Sequence, residues 1–266
     1  MAARAWPTNG AGATVVSRGG ARAARQDAPP QTGSASETVG WPMDTTTSGA
    51  QEPAANEAQR AVVEQIRRIA SAALLSTAGT GSLQRALALL QEATDLLDAT
   101  RRSSRYEGVA GLLPGIMAEN AAIWETHAAF GAANALAPPV VAVERPGHVE
   151  GTLTFSPTYE GGPGTVYGGF IAAVFDGMLG RAVISSGRLG VTRSLSVRYL
   201  RPTPLSTPLR IESEVTGATG NDVEVKGRLW AADRLTSEAE AIFRCVEGGR
   251  YQMATPEVAG PPPPPA

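Results

Sequence analysis

Apolar residues fall at every second position over most of the chain beyond residue 149, and at helical spacing over residues 57–103. Val149, Gly151, Leu153 and Phe155 alternate with Glu150, Thr152 and Thr154, which predicts a half-buried strand. Residues 161–180, GGPGTVYGGFIAAVFDGMLG, begin as a loop punctuated by glycine and proline and become an apolar helix at Gly168-Gly169. After a turn at 186–190 comes TRSLSVRYL, with Leu195, Val197 and Tyr199 on one face and Thr192, Ser194, Ser196 and Arg198 on the other. Pro202 and Pro204 end it. Leu209, Ile211 and Val215 mark a further strand, 217–221 a hairpin turn, and Val223, Val225 and Leu229 the next strand. A turn at 232–234 leads into a last strand from Leu235 to Val246. One strand, a long helix and four strands joined by short turns predict an α+β fold, a largely antiparallel sheet covered by that helix.

Upstream, Val62, Ile66, Ile69 and Ala73 recur at helical spacing, Gly79 and Gly81 interrupt, and Ser82 can cap a second helix. That helix carries Leu83, Ala86, Leu87, Leu90, Ala93 and Leu97 on one stripe. The pair predicts an N-terminal αα-hairpin over residues 57–103, its apolar faces buried against each other and against the main domain or a second subunit. Residues 104–148 read as a mixed connecting segment with a short helix around Ala121 to Ala129, ended by Pro138-Pro139. His127, between Trp124 and Phe130, reads as a packing histidine, and His148 opens the strand that follows. The main domain is expected over residues 149–248. Residues 1–56 show no sustained period and are expected to be a disordered extension, and 249–266 a Pro-rich disordered tail.

Composition narrows the function classes. Hydrophobic residues at 42% and charged residues at 18% suit a soluble globular chain. A net charge of -2 argues against nucleic acid as a bulk electrostatic partner. The single cysteine, Cys245, excludes a disulfide framework within the chain and a cysteine-cluster zinc site, and two histidines argue against a histidine-rich metal site. Apolar runs are interrupted before the ~20 residues that span a bilayer, so no membrane partner is expected. A cytoplasmic location is expected. Arg4, Arg18, Arg22 and Arg25 all precede the first acid, Asp27, a pattern that makes an organellar location the alternative. There is no apolar core of a secretory signal.

The chemistry concentrates at the helix start. Bare N–H groups there can hold an anion or a developing oxyanion. Eight residues on, Asp176 is a lone acid among Ala172, Ala173, Val174, Phe175, Met178 and Leu179, costly to bury without a partner. PGTVYGGFIAAVFDGMLG, then GVTRSLSVRYLRPTPL, then SEAEAIFRCV, on one helix wrapped by an antiparallel sheet, resembles the hotdog-fold acyl-CoA thioesterases of the PaaI-like group. The resemblance covers roughly residues 149–247. That family's signature is a histidine, two glycines, and an acid nine positions after the histidine. Gly168, Gly169 and Asp176 match, and Tyr167 stands in the histidine's place. A phenol keeps a hydrogen-bond donor there but is too weak an acid to shuttle protons near neutral pH.

The resemblance implies hydrolysis of an acyl-CoA to the free acid and coenzyme A, in lipid metabolism, without metal or redox cofactor. It implies that the Gly168 N–H polarises the thioester carbonyl and that Asp176 acts as general base or nucleophile. Thr192 would hold the water or the acid, while Tyr167 and Gly169 would border the substrate. Arg198 and Arg201 are candidates for the coenzyme A phosphates, which suit guanidinium forks. In related dimers the glycine and the acid of one site come from different subunits, so a homodimer or dimer of dimers is expected. The alternative is a catalytically weak hotdog protein that binds acyl-CoA or a protein partner.

Overall fold

The structure, a computed structural model of the chain, describes residues 53–102 and 124–245. The N-terminal extension up to residue 52, the connecting segment over 103–123 and the Pro-rich tail lie outside the described residues. Helices α1 (Pro53–Leu75) and α2 (Thr80–Asp98) come first. Strands β1 (Val141–Arg145) and β2 (His148–Leu153) follow, then helix α3 (Gly168–Ser185). Strands β3 (Gly190–Tyr199), β4 (Leu209–Thr219), β5 (Asp222–Ala231) and β6 (Arg234–Cys245) complete the sheet. The strand order is β1-β2-β4-β5-β6-β3, antiparallel throughout.

The sheet wraps α3, the hotdog arrangement. Ile171, Val174, Phe175, Met178, Leu179, Ala182 and Val183 are all buried. They meet Val149 and Leu153 of β2, Leu209 and Ile211 of β4, Val223, Val225 and Leu229 of β5, and Ala239, Ala241 and Phe243 of β6. Each large side chain so buried contributes about 1.5–3 kcal/mol. Gly227 of β5 lets the two layers close, since a Cβ there would lie 2.9 Å from the Phe175 ring. By length and composition α3 could cross a membrane, but Ile171, Val174, Phe175, Met178, Leu179, Ala182 and Val183 are buried in the core, while Phe170 stays 38% exposed. On its other side Phe130 packs against Gly177, and the Arg181 guanidinium lies 5.3 Å from the Trp124 ring and 5.5 Å from the Phe130 ring. The same arginine pairs with Glu144 of β1. Trp124 and Glu125 are helical, and His127 stacks on Phe130 at 4.1 Å.

Two expectations change. The sheet begins at Val141 rather than at residue 149, because β1 pairs along β2 from Val141↔Thr152 to Arg145↔His148. As an edge strand it buries little, so it lacks the alternation that marks the others. The helical pair is also present, but its expected stripes are not what packs. The α1 helix docks through Val63, 8% exposed, and through Arg67, which reaches the carbonyls of Gly131, Ala132, Asn134 and Ala137 at 2.7–3.1 Å. Arg60 adds a two-pronged pair with Glu125. Val62, Ile66 and Ile69 remain exposed, and α2 has no buried residue.

Candidate functional site

Gly168 is the first residue of α3, and Tyr167, its N-cap, supplies no side-chain cap. The Phe170 and Ile171 amides turn back to the Tyr167 carbonyl at 3.0 and 3.5 Å. The Gly168 and Gly169 amides therefore stand at the positive end of the helix without intrahelical partners. Gly168 lines a cavity of about 340 Å³ with Thr165, Ile171, Tyr199, Arg201 and Thr203. The Thr203 hydroxyl is buried and has no hydrogen-bond partner among the described residues. A larger cleft of about 520 Å³ between α1 and the 154–159 loop contains none of the candidate residues.

Both glycines are closely approached by tyrosine rings. A Cβ on Gly168 would meet the Tyr199 ring at 3.2 Å, and one on Gly169 would come within 2.6 Å of the Tyr167 ring. Tyr167 is 58% exposed and meets Phe170 edge-on, with ring centroids 6.2 Å apart.

Asp176 is half-buried in the middle of α3. Its Oδ1 accepts a hydrogen bond of 2.6 Å from the Thr192 hydroxyl, which leaves its second oxygen able to hold a water. Thr192 reaches it because of a bulge. Strand pairing runs Thr192↔Phe243 and then Ser194↔Ile242, so Arg193 is the extra residue. The slip puts Thr192 on the helix-facing side together with Leu195, Val197 and Tyr199, whose partners Ala241, Ala239 and Ser237 are all buried. Simple alternation had placed Thr192 on the opposite face. Arg193 and Arg244 both pair with Asp222, at 2.6 Å, which ties the bulge to the β4–β5 hairpin.

The structure thus brings Asp176 to Thr192, and Gly168 to Arg201, but not one pair to the other. Eight residues of α-helix separate Gly168 from Asp176 by about 12 Å. Arg201 borders the Gly168 cavity, its guanidinium donating to the Leu235 carbonyl at 2.9 Å. Arg198 lies on the outer face of the sheet, paired with Glu238 at 2.9 Å, away from both. Tyr199 is the site residue that sequence reasoning missed. Its hydroxyl donates to the Gly168 carbonyl at 2.8 Å, whereas alternation alone marks it only as an inward-facing residue.

His148, Glu150 and Glu212 bring donor atoms within 4.8 Å of one another on the sheet's outer face. Arg145 contacts Glu150 at 3.3 Å and Arg210 contacts Glu212 at 3.6 Å. With both carboxylates already facing guanidinium groups, the set is an ion-pair network more than a cation cradle. The hydrogen bond from His148 holds the Glu150 carboxyl below its ordinary range.

With this geometry in view, the sequence pattern that defines the thioesterase superfamily matches residues 163–238. The crystal structure of a thioesterase superfamily protein superposes at a TM-score of 0.60 with 32% identity, over 70% of this chain and 90% of that one. The chain belongs to the thioesterase superfamily. Acyl-coenzyme A thioesterase THEM4 of Mus musculus is 33% identical over 86 residues, 32% of this chain and 37% of that one. The matched segment therefore spans little more than a third of that curated relative. The superfamily match begins in the glycine-rich loop before α3 and takes in the helix start, Asp176, Thr192 and Tyr199.

Proposed function

We propose that the protein hydrolyses an acyl-CoA to a carboxylic acid and coenzyme A, at sites built from two copies of the chain. The observation that carries the reading is the 2.6 Å hydrogen bond from Thr192 to Asp176. A carboxylate fixed by one oxygen can use the other to take a proton from water. The resulting hydroxide adds to the thioester carbon, and the Gly168 N–H holds the oxyanion at the helix's positive end. Collapse of the tetrahedral intermediate breaks the carbon–sulfur bond, and the leaving thiolate takes up the proton. Arg201, beside the Gly168 cavity, offers a guanidinium to the coenzyme A phosphates.

A general base must lie within hydrogen-bond reach of the water it activates. The ~12 Å of helix between Gly168 and Asp176 therefore calls for the acid of a second copy. The β3 edge suits that copy. Among the described residues β3 pairs only with β6, and Thr192 on it is exposed. Acyl-CoAs of several chain lengths, assayed with wild type and Asp176→Asn, test the reaction. Wild type should release free thiol, and the variant should lose about 10²–10⁴-fold in kcat. Tight acyl-CoA binding without turnover on any chain length would instead establish a binding protein.

A further inference from the structure

Two consecutive glycines are a poor way to hold a hydrogen-bond donor still. Glycine has the widest backbone freedom of any residue, yet stabilisation of a developing oxyanion depends on donors fixed in advance. Tyr167 does not cap the helix through its side chain, and its carbonyl, bonded to the Phe170 and Ile171 amides, holds only the peptide before Gly168.

We propose that Tyr199 is a positioning residue that latches the start of α3 to the sheet and so orients the Gly168–Gly169 peptide, whose N–H is one of the donors at the helix's positive end. Its hydroxyl donates to the Gly168 carbonyl at 2.8 Å, and its ring covers the place where a Gly168 side chain would be. The first contact limits rotation about the Gly168 Cα–C bond, and the second blocks the space into which the residue would swing. Tyr199 is itself well anchored. It pairs with Ser237, and the next two amides, Leu200 and Arg201, both donate to the Thr236 carbonyl at 2.8 and 3.0 Å. Thr236 in turn is buried, with its hydroxyl donating to the Leu229 carbonyl at 3.1 Å. The latch thus carries the rigidity of the sheet to two glycines that lack it. Gly168 and Tyr199 line the same cavity, so the latched peptide begins at its wall. The catalytic consequence rests on the proposed thioester hydrolysis, while the latch itself does not.

Tyr199→Phe removes one oxygen and keeps the ring. In the full chain, kcat should fall roughly five- to tenfold, as expected for one hydrogen bond, with KM within about twofold and the unfolding midpoint lowered by no more than about 4 °C. The backbone ¹⁵N order parameters of Gly168 and Gly169 should drop in the variant. Unchanged order parameters would overturn the latch whatever the activity. Lowered order parameters with kcat unchanged would overturn its link to catalysis. A wild type that turns over no acyl-CoA would refute the hydrolase reading, and the order parameters would still decide the latch.

Discussion

Asp176 is flanked in sequence by the buried Phe175 and Gly177, and its carboxylate is held, among the described residues, by a hydroxyl from the neighbouring strand. A charge in such surroundings is tolerated because it is hydrogen-bonded and only half-buried. Across the sheet, Glu150 and Glu212 face each other in register, an unfavourable pairing that Arg145, Arg210 and His148 offset. The His148 hydrogen bond is the largest influence on the Glu150 carboxyl and lowers it. A depressed carboxyl adds stability above its unfolded pKa, and loses that contribution as pH falls through the folded value. His148→Ala should therefore move the Glu150 titration upward, as read from its side-chain carboxyl carbon by NMR. An unmoved titration would assign the effect to the arginines. None of these roles follows from residue type alone. Asp176 was legible as a site because an acid in an apolar helix is anomalous, whereas Tyr199 was invisible because an inward tyrosine is ordinary.

At the scale of elements, the bulge at Arg193 decides whether Thr192 reaches Asp176. Side chains on a strand alternate faces, so one inserted residue inverts everything on one side of it. Deleting Arg193 should turn Thr192 to the outer face while leaving β3 paired with β6 from Ser194 to Tyr199. Turnover should then fall at least about tenfold, to the level of Thr192→Val. Activity equal to wild type in the deletion would show that the strand had slid and that Thr192 still reached Asp176. Bulges leave almost no mark in a hydrophobic pattern, which is why alternation put Thr192 on the wrong face. The docking of α1 was obscure for a related reason. Its buried face is set by Arg67 and the carbonyls of a loop, and an arginine on a helix ordinarily reads as solvated.

For the whole molecule, the separation of Gly168 from Asp176 along one helix is the governing quantity. Gly168→Val and Asp176→Asn should each be inactive alone. Unfolded together and refolded as an equimolar mixture, they should regain about a quarter of wild-type activity, because half the dimers then carry one intact site. No recovery, in a mixture whose mass shows mixed dimers, would place the whole site within one chain.

The sequence by itself determined the α+β class, the helix start at Gly168, the five strands with clear alternation and the anomaly of Asp176. Each depends on local chemistry: the spacing of apolar residues, the steric freedom of glycine and the cost of a lone charge. Only the tertiary structure decided that Thr192 faces Asp176, that Tyr199 closes on Gly168, that Arg198 points away and that β1 joins the sheet. Those outcomes turn on register and on contacts between residues far apart in the chain, and the hydrophobic pattern of any one segment carries no information about its partner.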